Sequence, residues 1–331
     1  MACSRPNLIG VDRRYRGSTF LGPRHNEKGV RDLEITEHYH VYDIPCGKCE
    51  LCAVDMRYSK ALRIMLEAES WPEKSYFITL TYDDDHIEDG ELNHRHWQQF
   101  MKNFRQKFCQ AKYCKIKDRG GKRHGREYSV TFKKIKQVMA GEYGDKFGRR
   151  HFHGIIFNHS FDDIEFTGRY SEKGNPVYTS PSLREVWDKG AVQVAPLEFD
   201  LALYVAAYVT DKVDQPDVNH GRQKKQYGRF GVGIGLEWIK KYWHDVLVSG
   251  RVKTLEKEFP APRYFLKKIE EIQPEAYERY RKRNWLRKLE LKEKLIGKGD
   301  GFLRRAKAKG EIFKHNRMKR SIDHAQRTRK I

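Results

Sequence analysis

Apolar residues return along the chain with two periods, and the period predicts each element. Between 94 and 108, Trp97, Phe100, Met101, Phe104 and Phe108 recur every three or four positions behind Asn93, which predicts a helix with a ready N-cap. Met56, Leu62, Met65 and Leu66 in MRYSKALRIMLEAES predict a second amphipathic helix, punctuated by Pro72. The β-branched and aromatic run YFITLTY at 76–82 reads as a buried strand ended by Asp83, Asp84 and Asp85. The stretch ending in VMAGEYG, the short DKFGRR turn and HFHGIIF at 151–157 make a strand, loop, strand arrangement. SPSLREVW predicts a short capped helix, AVQVAPLEF a further strand, and Asp200 a cap for LALYVAAYVTDKV. A Gly-rich GRFGVGIG loop precedes the helix LEWIKKYWHDVL, and 265–296 reads as a long charged helix with little core of its own. The strands are few and polar insertions separate them, so an α+β sandwich fits better than a doubly wound parallel sheet.

Within this pattern HFHGIIF is unusual. A strand sends alternate side chains to one face, so His151 and His153 project together while Phe152 points away. Such a pair is often a surface or hydrogen-bonded pair, and a metal site is the alternative. Glu142 ends the preceding strand and can return its carboxylate to the same face, giving Glu-x8-His-x-His. Two imidazoles and one carboxylate leave positions open on an Mg²⁺- or Mn²⁺-like ion, as a catalytic site requires. In LYVAAYVTDK, Tyr204, Tyr208 and Lys212 follow at i, i+4 and i+8, one helical face extending about 12 Å. Leu201, Tyr204, Val205 and Tyr208 also make an ordinary core stripe. A phenol with a pKa of about 10 needs a nearby cation to act as a nucleophile, and Lys212 or a metal could supply it.

Composition adds a partner. With 331 residues, 38% apolar and 12% aromatic, the chain can build a real core. Of the net charge of +21, residues 251–331 contribute +15, from 26 Lys/Arg against 11 Asp/Glu. A polyanion, nucleic acid first, is the expected partner, with a solvated helical face as the alternative. No apolar run suits a signal peptide or a membrane span, so a soluble, cytoplasmic protein without a membrane partner is expected. In a reducing compartment the cysteines are read for metal. Cys46, Cys49 and Cys52 form C-x2-C-x2-C, and Cys3 could complete four thiolates around a structural zinc. Incidental cysteines and an incomplete iron–sulfur run are the alternatives, and Cys109 and Cys114 look like ordinary small residues.

FITLTYDDDH (77–86), GEYGDKFGRRHFHGIIF (141–157) and LYVAAYVTDK (203–212) resemble the three ordered motifs of HUH endonucleases, the rolling-circle replication initiators. With MACSRP, PCGKCELC and YTSPSLREVW, residues 1–245 are similar to replication-initiation proteins of gokushovirus-type microviruses. The resemblance implies an HUH (RRM/ferredoxin-like) antiparallel sheet with helices packed on it, besides a Cys-rich N-terminal region and a basic helical C-terminal extension. The chain then divides at 1–75, 76–215 and 216–331. The implied activity is metal-dependent nicking of single-stranded DNA, with Glu142, His151 and His153 as ligands. Attack by Tyr204 or Tyr208 gives a 5′-phosphotyrosine and a free 3′-hydroxyl, and rejoining follows. Lys212 supports the chemistry, and His86 positions DNA or merely ends a strand. The implied partners are single-stranded or supercoiled origin DNA and a host polymerase and helicase, in the bacterial cytoplasm. One departure is Arg150 in RRHFHG, where the phage pattern has proline; it is expected to alter only the entry to the strand. Two rivals remain, a non-enzymatic nucleic-acid-binding or packaging protein with a zinc knuckle, and a metallohydrolase using water.

Overall fold

The computed structural model describes residues 7–12, 18–23, 39–87, 91–109, 134–144, 148–170, 174, 176–210, 224–254 and 258–296. These fall into two compact units, divided between Ser59 and Lys60 and between Arg287 and Lys288, each time inside a helix. In the first, β1 (Asn7–Asp12), β2 (Ser18–Pro23) and β3 (Tyr39–Ile44) form an antiparallel sheet in the order β2-β1-β3. Asn7 lies opposite Ile44, and the chain then turns into α1 (Glu50–Glu69), which continues into the second unit. These three strands are absent from the sequence reading, because NLIGVD and STFLGP carry neither clean alternation nor a long apolar run.

The second unit is built on β4 (Tyr76–Tyr82), α2 (His94–Phe108), β5 (Lys136–Tyr143), β6 (Arg150–Phe157), β7 (Glu165–Tyr170) and β8 (Pro176–Thr179). It continues through α3 (Pro181–Val186), β9 (Gly190–Pro196), α4 (Phe199–Thr210), β10 (Tyr227–Phe230) and α5 (Leu236–Ser249). A small hairpin, β11 (Arg251–Lys253) with β12 (Glu258–Pro260), then leads to α6 (Arg263–Ile272) and α7 (Pro274–Ile296). The α+β expectation holds: seven strands in the order β10-β5-β6-β4-β9-β8-β7 pair antiparallel throughout. The helix with the tyrosines begins at Phe199, so Asp200 sits in its first turn rather than capping it, where its charge suits the positive helix end.

Alternation divides the sheet into two faces. Tyr76, Ile78, Leu80 and Tyr82 of β4, with Met139, Phe152 and Ile156, meet Trp97, Phe100, Met101 and Phe104 of α2 and Leu183 and Val186 of α3 in one buried cluster. Gly154 belongs to this face because the Trp97 ring occupies the space a side chain would need: a Cβ there would lie 2.4 Å from the indole. The opposite face, carrying His151 and His153, is covered by α4, which packs on β5, β6 and β10. Gly228 of β10 permits that approach, since a Cβ there would lie 2.6 Å from the Val209 backbone nitrogen.

The charged stretch over 265–296 does contribute a core, contrary to its sequence reading. Phe265 and Ile269 of α6 are fully buried with Trp238, Ile239, Val246 and Leu247 of α5 and Leu62 and Leu66 of α1, and Tyr277 and Tyr280 of α7 pack against them. Two buried residues per ten-residue helix suffice when flanked by aromatic neighbours, so the high charge density hid the pattern. The Gly-rich loop is fastened to α1: Arg63 donates to the Ile234 carbonyl, and the Gly235 amide donates to the fully buried Glu67, which also pairs with Lys136. No helix among the described residues is long and apolar enough to cross a membrane.

Candidate active site

The β5–β6 register sets the site. Glu142 lies directly opposite His151, and Ala140 opposite His153, so the three functional side chains leave one face of two adjoining strands. The Nε2 atoms of His151 and His153 lie 2.5 and 2.7 Å from Glu142 Oε1. The hydroxyl of Tyr204, projecting from α4, donates to the same oxygen at 2.6 Å, and Tyr208 donates to the Tyr204 hydroxyl at 3.4 Å. The Tyr204 ring stands edge-on to the His153 imidazole and to Tyr208, with centroids 5.1 and 5.3 Å away. The tyrosine stripe is therefore both core and site: Tyr204 is buried, and Tyr208, one turn on, is half-buried.

The histidines are oriented from behind. His151 Nδ1 donates to the Arg149 carbonyl at 3.0 Å, which leaves the Nε2 lone pair of a neutral ring aimed at the carboxylate. His153 Nδ1 lies 2.9 Å from Thr79 Oγ1, and Phe77 stacks on its ring at 5.2 Å. Two nitrogen lone pairs and a carboxylate oxygen this close repel one another unless a proton or a cation lies among them. Glu142 Oε2 is buried without a hydrogen-bond partner, a costly arrangement that a cation would relieve. The ligand atoms of the three residues all lie within 4.8 Å of one another, and the set of two nitrogens and a hard carboxylate fits a divalent cation.

Electrostatics point the same way. Burial pushes the Glu142 carboxyl up, but the charges and hydrogen bonds of His153 and His151 together hold it well below the usual carboxylate range. Burial lowers the His153 imidazole, and His151 lowers it further against the pull of Glu142. The Tyr204 phenol is pushed well above its ordinary value by burial, then by Glu142 and Tyr208. With no positive charge added, Tyr204 is a hydrogen-bond donor and not a phenolate.

The sequence model of the replication-associated protein ORF2 family matches residues 75–213, from the start of β4 to just past α4. The chain is 30% identical over 262 residues to "Replication-associated protein VP4" of Bdellovibrio phage phiMH2K, covering 78% of each chain. It is 30% identical to "Replication-associated protein ORF2" of Spiroplasma virus 4, over 84% of this chain and 83% of the relative. The chain belongs to the phage replication-associated proteins of the microvirus type. A third relative of this replication-associated protein, "Replication-associated protein ORF4" of Chlamydia phage 1, is 31% identical over 73% of this chain and 59% of its own length. No solved structure matches the chain.

In this replication-associated protein the matched span holds Glu142, His151, His153, Tyr204 and Tyr208, and the fold brings all five together. Lys212 and Cys3 lie outside the described residues. His86 does not join the cluster of ligand atoms; its Nδ1 pairs with Asp83 Oδ1 at 2.6 Å in the DDDH turn. Arg150 does more than open a strand. It is buried, its guanidinium donates to the His86 and Glu91 carbonyls, and it lies 4.1 Å over the Tyr82 ring, so it ties the loop after β4 to the start of β6. Thr79 was missed in the sequence, although a lone hydroxyl in the alternation of FITLTY, on the histidine face, was its signal. Lys60 was missed as well; from α1 it donates to the Val209 carbonyl near the end of α4, a contact no spacing rule would reveal.

Proposed function

We propose that this protein initiates rolling-circle replication as an HUH-type endonuclease, nicking single-stranded DNA at a phage origin through a tyrosine and later rejoining it. The observation that carries the reading is the convergence of both imidazole Nε2 atoms and the Tyr204 hydroxyl on Glu142 Oε1, beside a buried and unpartnered Oε2. A protein that only bound nucleic acid would have no use for that arrangement. A water-using hydrolase would have no use for the second phenol at the same place.

Glu142, His151 and His153 would hold a divalent cation of the Mg²⁺ or Mn²⁺ kind, which when bound supplies positive charge to the scissile phosphate and to a neighbouring phenolate. Thr79 and the Arg149 carbonyl keep the imidazoles turned with Nε2 toward that position. The phenol oxygen of Tyr204 or Tyr208 attacks phosphorus in line with the departing 3′-oxygen. The bond from phosphorus to the 3′-oxygen breaks as the bond to tyrosine forms, and the proton the phenol loses is matched by the one the 3′-oxygen gains. A 5′-phosphotyrosine and a 3′-hydroxyl result, and a host polymerase, served by a helicase, extends the hydroxyl. Attack of a 3′-hydroxyl on the phosphotyrosine reverses the step, so the phosphodiester is conserved where water would destroy it. Lys212 follows Tyr204 and Tyr208 at the same spacing and would add positive charge. The exposed Arg279, Arg281 and Lys282 of α7 would track DNA phosphates without reading bases.

The test is an end-labelled single-stranded origin fragment incubated with the protein and Mn²⁺, then denatured and separated by size. Wild type should give a covalent protein–DNA band. Tyr204→Phe and Tyr208→Phe should each retain some adduct but fail to complete the cleave-and-rejoin cycle, and the double variant should form none. Phenylalanine preserves most of the packing, so continued adduct formation by the double variant would place the nucleophile elsewhere.

A further inference from the structure

We infer that Cys46, Cys49 and Cys52 hold a structural zinc ion, in a site made of residues other than those around Glu142. The three sulfurs straddle the turn from β3 into α1: Cys46 follows the strand, Cys49 precedes the helix and Cys52 lies in its first turn. Gly47, in the left-handed region at φ 74°, bends the chain back between them. All three sulfurs lie within 4.8 Å of one another, and Cys46 Sγ is 4.0 Å from Cys52 Sγ. Tetrahedral zinc with bonds of about 2.3 Å requires sulfurs about 3.8 Å apart, so an ion can enter with small adjustments. A disulfide would need about 2.05 Å and would leave one of the three sulfurs over.

The turn is also arranged to carry negative charge on sulfur. The backbone N–H groups of Lys48 and Cys49 both donate to Cys46 Sγ, at 3.4 and 3.3 Å. Cys49 accepts the first helical hydrogen bond, from Ala53, so the positive end of α1 faces the cluster. Metal entry then releases the thiol protons, leaving thiolates neutralised by the ion and by these amides. Soft thiolates select zinc over the hard cations that suit a carboxylate. There is a structural need as well, because three six-residue strands form a sheet too small to be secure without a staple. Three thiolates leave one coordination position, for which Cys3 is the candidate: Asn7, four residues on, pairs with Ile44, two residues before Cys46. Four residues reach at most about 14 Å.

The experiment uses the full chain carrying His151→Ala and His153→Ala, so that the other centre contributes no metal. Elemental analysis should find one zinc per chain after dialysis, and titration with an organomercurial should release it as the cysteines react. Cobalt exchanged for zinc should show the near-ultraviolet absorption of thiolate-to-metal charge transfer. Cys46→Ser, Cys49→Ser and Cys52→Ser should each lose metal and absorption, whereas Cys109→Ala should keep both. Absence of zinc, release without thiol modification, a cobalt spectrum without thiolate absorption, or iron with inorganic sulfide would each overturn the proposal. The mercurial titration is made on protein with intact cysteines, so the result stands even if a serine variant fails to fold. Cys3→Ser should lose zinc on dialysis, and unchanged retention would remove Cys3 as the fourth ligand.

Discussion

The Glu142 centre and the Cys46 cluster are both triads of metal-ligating residues, yet almost every physical property separates them. Glu142, His151 and His153 rise from two hydrogen-bonded strands in the middle of a seven-stranded sheet, with a threonine and a carbonyl fixing the rings from behind. The three cysteines come from seven consecutive residues of one turn, steadied by backbone amides. The first set offers nitrogen and oxygen, keeps a buried carboxylate oxygen without a partner and has two phenols against it. The second offers only sulfur. Ligand type and neighbours, not ligand number, separate a centre suited to chemistry from one suited to holding a turn.

The largest expected effect falls on the sheet centre alone. His151→Ala or His153→Ala should take nicking of single-stranded origin DNA below detection while cysteine-bound zinc and the circular dichroism spectrum stay as in wild type. Parent-rate nicking by either variant would erase the distinction. Chelation should divide the two sites next. Brief exposure to EDTA should stop nicking, Mn²⁺ or Mg²⁺ should restore it, and zinc content should not fall in parallel. Thr79→Val removes the Nδ1 partner of His153 while preserving its shape, so Mn²⁺ affinity should drop about 10–100-fold, read by titrating nicking against Mn²⁺. An unchanged midpoint would mean that the ring is held by Phe77 alone. The smallest effect is on stability. Gly154→Ala forces a methyl against Trp97 and should cost about 1–3 kcal/mol in denaturant unfolding, with no loss of zinc.

The sequence was most legible where one side of an element is buried and the other is not. YFITLTY, the α2 stripe and HFHGIIF alternate or recur because α2 covers one face of the sheet, and the same alternation put His151 and His153 together. Glu142 was readable because the β5–β6 connection is short enough to fix a register. The strand pair β7 and β8 was not readable: every residue of β7 is exposed, so burial imposes no pattern on it. Arg150 was misjudged because its partners are the carbonyls of His86 and Glu91, and carbonyls leave no mark in a sequence. The α5–α7 core went unseen for another reason: Phe265 and Ile269 are completed by Leu62 and Leu66, some two hundred residues earlier.

The contact between Val209 and Gly228, with Lys60 gripping the Val209 carbonyl, has a consequence for how two ends of DNA could exchange. It pins the tyrosine helix to the edge of the sheet, so neither phenol can swing away once loaded. The two hydroxyls stand 3.4 Å apart, less than the width of a phosphate group with its oxygens. On the proposed chemistry, a phosphate esterified to one tyrosine occupies the room the other needs, and the centre serves one strand end at a time. Motion between the opening and closing transfers therefore falls to the nucleic acid: the attached end must slide aside on its ester linkage before the newly made junction can enter.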